Sequence, residues 1–120
     1  MKTLLVVDDE FAMVEVLSAL LEDEGYHVIT AANGEEALAR LREGTLPDLV
    51  LLDVMMPRLD GRDVLRRMQE DPVLQAIPVI LMSAAAHPLE EARLGSAVFL
   101  HKPFDLNVLF RTIASLLRTT

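Results

Sequence analysis

Apolar residues follow two rhythms along this chain. Short runs at Leu4 to Val7, Tyr26 to Thr30, Leu49 to Leu52, Val79 to Met82 and Ala97 to Leu100 have the length and β-branched or aliphatic character of strands. Between them apolar positions recur every three or four residues, as helices require: Phe11, Val14, Leu17 and Leu21; Ala37, Leu38 and Leu41; Val64, Leu65 and Met68. A short helix over Leu89 to Leu94 and a longer one through Leu106, Leu109, Phe110, Ile113, Leu116 and Leu117 complete the series. Gly25, Gly44, Asp71-Pro72 and Gly95 punctuate the helix ends.

The pattern is five βα units. Strands of continuous apolar character suit a parallel sheet covered on both faces, and right-handed crossovers then place helices on each side. The predicted fold is therefore α/β, a five-stranded doubly wound parallel sheet of order 2-1-3-4-5, a flavodoxin-like three-layer sandwich with a short fourth helix. That order predicts a ligand crevice at the carboxyl ends of the first and third strands. With 120 residues, 52% of them hydrophobic, one domain over residues 1–120 is expected, without linker or repeat.

Charge and cysteine content narrow the functions. No cysteine is present, which removes disulfides, thiolate catalysis and cysteine-bound metals, and is consistent with a reducing cytosol. The opening MKTLLVVDDE breaks off too early for a secretory signal, and no apolar stretch approaches bilayer length. A cytoplasmic protein is expected, with no membrane partner. The net charge of −8 opposes direct contact with nucleic acid.

Candidate chemistry gathers at the predicted crevice. Asp53 ends the most hydrophobic tract, DLVLLDVMMPRLDG, where the third strand leaves the sheet, and its side chain is expected to project into solvent above the buried leucines. Asp8 and Asp9 end the neighbouring first strand. Three converging carboxylates repel one another unless a cation shares the site, and an all-oxygen donor set suits Mg²⁺. Ser83 and Lys102 end the fourth and fifth strands at the same rim, offering a hydroxyl and an ammonium to an anion attached to Asp53. An aspartate placed so can act as a nucleophile toward phosphorus.

Simpler readings exist for each residue alone. An aspartate at a strand end is commonly a turn residue, and Asp8-Asp9 would also cap the first helix. Ser83 and Lys102 separately would be ordinary surface groups, and Phe99 a core or edge aromatic. His27, His87 and His101 lack the spacing of a zinc helix, and Arg62, Arg66 and Arg67 read as a solvated edge of the third helix. Convergence at one rim is what favours chemistry.

Four ordered blocks, LLVVDDE, LLDVMMPRLDG, PVILMSA and FLHKPF, resemble the receiver domain of two-component response regulators over nearly all of residues 1 to 118. The resemblance implies that Asp53 is phosphorylated by a histidine kinase or phosphotransfer protein, and that the domain catalyses only its own phosphorylation and dephosphorylation. It implies direct Mg²⁺ ligation by Asp9 and Asp53, water-mediated help from Asp8, and a fourth contact from the Met55 carbonyl. Ser83 and Lys102 fill the family's hydroxyl and lysine positions, Phe99 matches an aromatic that changes rotamer on activation, and Lys102-Pro103 is expected to be cis. A downstream effector domain or protein is implied, and a homodimer is admitted.

The fourth crossover, Ala84 to Ser96, is shorter than in most receivers, which puts in doubt the fourth-helix, fifth-strand, fifth-helix face where many dimerise or signal. Three rivals remain. A receiver-like module that no longer accepts phosphate would usually lack one of the acids or the lysine. A flavin carrier would need a glycine- and hydroxyl-rich phosphate loop where DDEFAM stands, and an aspartyl phosphatase would usually have an acid at position 55, where this chain has methionine.

Overall fold

The computed structural model describes residues 1–44, 46–84 and 97–118. The predicted helix over Leu89 to Leu94, with His87 and most of the fourth crossover, lies outside the described residues. In chain order the elements are β1 (Thr3–Val7), α1 (Phe11–Asp23), β2 (His27–Ala31), α2 (Gly34–Arg42), β3 (Leu49–Asp53) and α3 (Gly61–Gln69). A single 3₁₀ turn (Leu74–Ala76), β4 (Val79–Ser83), β5 (Val98–His101) and α4 (Leu106–Arg118) follow. All strand pairings are parallel and the order is β2-β1-β3-β4-β5, as the alternation of elements predicts.

The central strands are buried on both faces because their side chains divide between two cores. Leu4 and Val6, Leu49 and Leu51, and Ile80 and Met82 pack with Leu17 and Leu21 of α1 and Leu109 and Ile113 of α4. Leu5 and Val7, Val50 and Leu52, and Val79 and Leu81 face the other way, onto Ala37, Leu38 and Leu41 of α2 and Val64, Leu65 and Met68 of α3. This is the period-2 alternation of a pleated strand with apolar residues on both sides.

Some boundaries differ from the sequence reading. β2 begins one residue later than expected and reaches Ala31, while β3, β4 and β5 each extend one residue past the apolar run, to Asp53, Ser83 and His101. Main-chain pairing does not depend on an apolar side chain, so the ladder continues into the polar positions. Phe11, read as part of the buried stripe of α1, is 76% exposed in its first turn. Periodicity assigns a helix face without fixing depth at its ends.

Helix ends are set by local chemistry. Gly25 takes φ +97 after α1, a conformation that only glycine adopts without penalty. Asp60 and Asp63 form a reciprocal capping box at the start of α3. Asp8 and Asp9 do not cap α1. The cap position is Glu10, whose side chain makes no capping bond, and Asp8 Oδ1 accepts from the Glu10 N–H at 3.0 Å just before the helix.

One glycine joins the scaffold to the rim. Gly61 N donates to the Val54 carbonyl at 3.0 Å, and a Cβ at position 61 would collide with the Asp53 carbonyl and the Val54 Cα. Backbone cannot yield as a flexible side chain does. Gly61→Ala is expected to cost about 1–3 kcal/mol, read as a lower urea midpoint with unchanged slope.

Candidate functional site

The switch point of the sheet brings the sequence-predicted residues together. Asp53 closes β3, Ser83 closes β4, and Asp8, Asp9 and Lys102 each lie within two residues of a strand end. The parallel registers Val7↔Leu52, Asp53↔Met82 and Ser83↔His101 hold these ends level. One carboxylate oxygen from each of Asp8, Asp9 and Asp53 lies within 4.8 Å of the other two.

The acids are not where the sequence reading put them in depth. Asp53 is 5% exposed and Asp8 2% exposed, so the side chain of Asp53 does not project into solvent. Asp9 is the exposed member. Lys102 reaches across from the residue after β5, and its Nζ donates to Asp8 Oδ2 and to Asp53 Oδ1, both at 3.3 Å. The lysine closes over the pair and satisfies charge that would otherwise be stranded.

The electrostatics follow from that geometry. Burial pushes the Asp53 carboxyl up to about 6, Asp8 adds to the rise, Lys102 opposes it, and Asp9 adds a smaller increment. For Lys102 burial works against the charge, but the attraction of Asp53 and then Asp8 outweighs it, and the net shift is upward. The ammonium is thus held charged at neutral pH against two acids that cannot both be fully offset by one cation.

Ser83 is buried, and its backbone carbonyl accepts from the Lys102 N–H at 2.8 Å, so the hydroxyl residue and the lysine are positioned by one backbone bond. Met55 is exposed, two residues beyond Asp53. Phe99 is half-buried, pairs in register with Leu81 and packs against the α2–α3 core. The Lys102-Pro103 bond is cis. Sequence reasoning missed the Gly61 contact and the Asp60–Asp63 box that fix the loop after Asp53. The signal was the two acids three residues apart at the head of a helix.

The donor set fits a hard divalent cation. It offers oxygens only, from three carboxylates spaced to share one ion, two of them buried beside a single ammonium. Asp8, Asp9 and Asp53 would hold it, in the place where negative charge is least compensated.

The family model described as response regulator receiver domain matches residues 4–114. The chain belongs to that family. Response regulator PleD of Caulobacter vibrioides is 43% identical over 118 residues, which are 96% of this chain and 26% of the relative. The alkaline phosphatase synthesis transcriptional regulatory protein PhoP of Bacillus subtilis is 37% identical over 120 residues, 98% of this chain and 49% of the relative. This receiver thus spans about a quarter to a half of the length of these curated relatives.

Among solved structures, the receiver domain of a signal transduction histidine kinase from Syntrophus aciditrophicus superposes with TM-score 0.92 at 33% identity, over 100% of this chain and 95% of that one. The response regulator TrrA of Thermotoga maritima, solved in complex with Mg²⁺-BeF, superposes with TM-score 0.86 at 35% identity, over 97% and 99%. Among the described residues, no helix of this receiver is long and apolar enough to cross a membrane.

The raised Asp53 carboxyl makes a pH prediction with a definite sign. The folded state holds this proton more tightly than the unfolded chain does. Stability from this group is therefore complete below the unfolded value of 3.8 and is lost as pH rises through about 6. The loss amounts to roughly 3 kcal/mol at most. In metal-free protein, Asp53→Asn should gain stability relative to the parent as pH goes from 4 to 7, measured by urea unfolding. Mg²⁺ should stabilise the parent at pH 7.5 and progressively less below pH 6, where protons compete for the same oxygens.

Proposed function

We propose that this receiver is a phosphorylation-controlled signalling switch in which Asp53 accepts a phosphoryl group in a Mg²⁺-dependent reaction. The observation that carries the reading is the single rim holding Asp8, Asp9, Asp53, Ser83 and Lys102, with Lys102 Nζ 3.3 Å from both buried acids. The Mg²⁺-BeF complex of the Thermotoga maritima relative supports it.

The donor is a phosphorylated histidine on a sensor kinase or phosphotransfer protein. An Asp53 Oδ attacks phosphorus, a P–O bond forms, and the P–N bond breaks with its electron pair leaving on the imidazole. With its carboxyl pushed up to about 6, Asp53 is mostly ionised at neutral pH and so is nucleophilic. Asp9, Asp53 and the Met55 carbonyl would hold Mg²⁺, with Asp8 helping through water, and the ion would supply charge neutralisation during transfer. Lys102 and the Ser83 hydroxyl grip the remaining oxygens, exchanging the carboxylate contacts of the resting state for phosphoryl contacts.

The domain catalyses its own modification and its own dephosphorylation and turns over no separate substrate. Movement of Ser83 toward the phosphoryl group opens room into which Phe99 turns, and the altered surface is read by an effector domain, an effector protein or a second copy. An apolar groove of about 350 Å³ opens beside Lys102, lined by Met13, Val16, Leu20, Phe104 and Leu106 among others, and offers the phosphodonor a surface next to that lysine. The reading places the chain in the cytoplasm, with its donor.

Incubation with acetyl phosphate and Mg²⁺ should add one phosphoryl group by intact mass. Asp53→Asn or chelation of the metal should abolish the gain. Lys102→Ala and Ser83→Ala should slow it by at least about tenfold. No mass gain in the parent chain would favour the rival reading, a constitutive interaction module of the same fold.

A further inference from the structure

Away from the acidic rim, α2 and α3 leave a cleft between them whose chemistry the phosphoryl-acceptor reading does not use. It holds two adjoining cavities of about 500 and 560 Å³, a size typical of small-molecule sites. The smaller is lined by Glu35, Leu38, Arg42, Arg58, Leu59 and Arg67. Three guanidiniums therefore face one carboxylate, in a chain whose net charge is −8.

The larger cavity is balanced, with Arg42, Arg66 and Arg67 against Asp63, Glu70 and Asp71, so the excess of positive charge belongs to the smaller one. Arg58 Nη1 takes the one carboxylate, Glu35 Oε1, at 3.2 Å. Arg66, at the edge of the larger cavity, takes Asp63 at 2.6 Å, which removes the acid four residues before Arg67 from competition. Asp71 Oδ1 accepts from the Val73 and Leu74 N–H groups, and Glu70, also on the larger cavity, makes no ion pair among the described residues. Arg42 and Arg67 are left with no ion pair among the described residues, and with Leu59 they are the only side chains that line both cavities.

Basic residues in the last turns of α2 and α3 complement the helix dipoles. The dipole explains their sign but not why two unpaired guanidiniums share one concave wall. Like charges there repel, as the carboxylates at the rim do, and an anion between them offsets the repulsion. Guanidinium forks match the oxygens of phosphate two at a time, and Leu38 and Leu59 give an apolar floor.

We propose that the α2–α3 cleft binds a small phosphate-bearing anion, gripped by Arg42 and Arg67 with Arg58 at its edge. The adjoining cavity, lined by Asp63, Glu70 and Asp71 as well as Arg42, Arg66 and Arg67, leaves space for an uncharged organic body on the phosphate. The site is independent of phosphorylation at Asp53. Because it is open to solvent, its affinity falls steeply with ionic strength.

The test is titration of the full chain at low salt, followed by calorimetry and backbone-amide NMR. It is made without metal on the parent chain, whose rim carboxylates Asp8, Asp9 and Asp53 then repel anions. Inorganic phosphate and AMP are run as separate arms. Saturable binding with shifts confined to the end of α2 and to α3 is expected, weakened at least tenfold in Arg42→Gln and in Arg67→Gln. Arg67→Lys, which keeps charge but loses the fork, should weaken it as well. Tighter binding of AMP than of phosphate identifies an ester as the ligand, and equal binding identifies free phosphate as the source. Non-saturable shifts at millimolar anion, shifts centred on Lys102, or affinity unchanged in both glutamine variants with native urea midpoints would overturn the proposal.

Discussion

A single ammonium set between two buried carboxylates is the contact on which the rest of this receiver's chemistry depends. Lys102 lies 3.3 Å from both Asp8 and Asp53, and the two acids are almost wholly withdrawn from water. Removing one partner of such a buried set strands the charge of the others, which is costly. One positive charge is nevertheless too few for three acids, and the shortfall is what a further cation would offset. The scaffold is arranged around that shortfall. Two cores clamp the strands from either side, and the strand ends are held level by parallel register.

The same economy separates the charged chemistry into two places. At the rim, negative groups are concentrated and undercompensated. On the smaller cavity of the α2–α3 cleft, where three arginines meet one glutamate, positive groups are. Several neighbouring groups are already paired: Asp60 and Asp63 in their capping box, Arg58 with Glu35, Arg66 with Asp63. Exposed pairs of this kind add little to stability, about 0–1 kcal/mol each. Their effect is on which side chains are left over to meet something else.

Much of this was legible in the linear chain, for physical reasons that differ by residue. The strands announced themselves because Leu49 to Leu52 and Val79 to Met82 must satisfy two apolar faces at once, and topology followed from the alternation with helices. Asp53, Ser83 and Lys102 were found because strand ends are where polar groups can gather in a parallel sheet. Depth was not legible. Asp53 is covered by a lysine 49 residues away, a contact no local pattern encodes. Phe11 keeps helical spacing yet faces water, since periodicity fixes direction and leaves depth to what packs above. Nothing in the linear chain singled out Gly61, although its lack of a Cβ is what lets α3 approach the Asp53 carbonyl.

The bare start of α1 shows how the two demands on this sequence trade against each other. Good N-cap residues contribute about 1 kcal/mol, yet position 10 carries a glutamate whose side chain makes no capping bond, while Asp8, two residues earlier, gives one oxygen to the Glu10 N–H and the other to the lysine. A side-chain cap is missing at a helix end that borders the acidic rim. A descendant relieved of its chemistry would be free to place serine or asparagine there, and would drift toward a sturdier but silent protein.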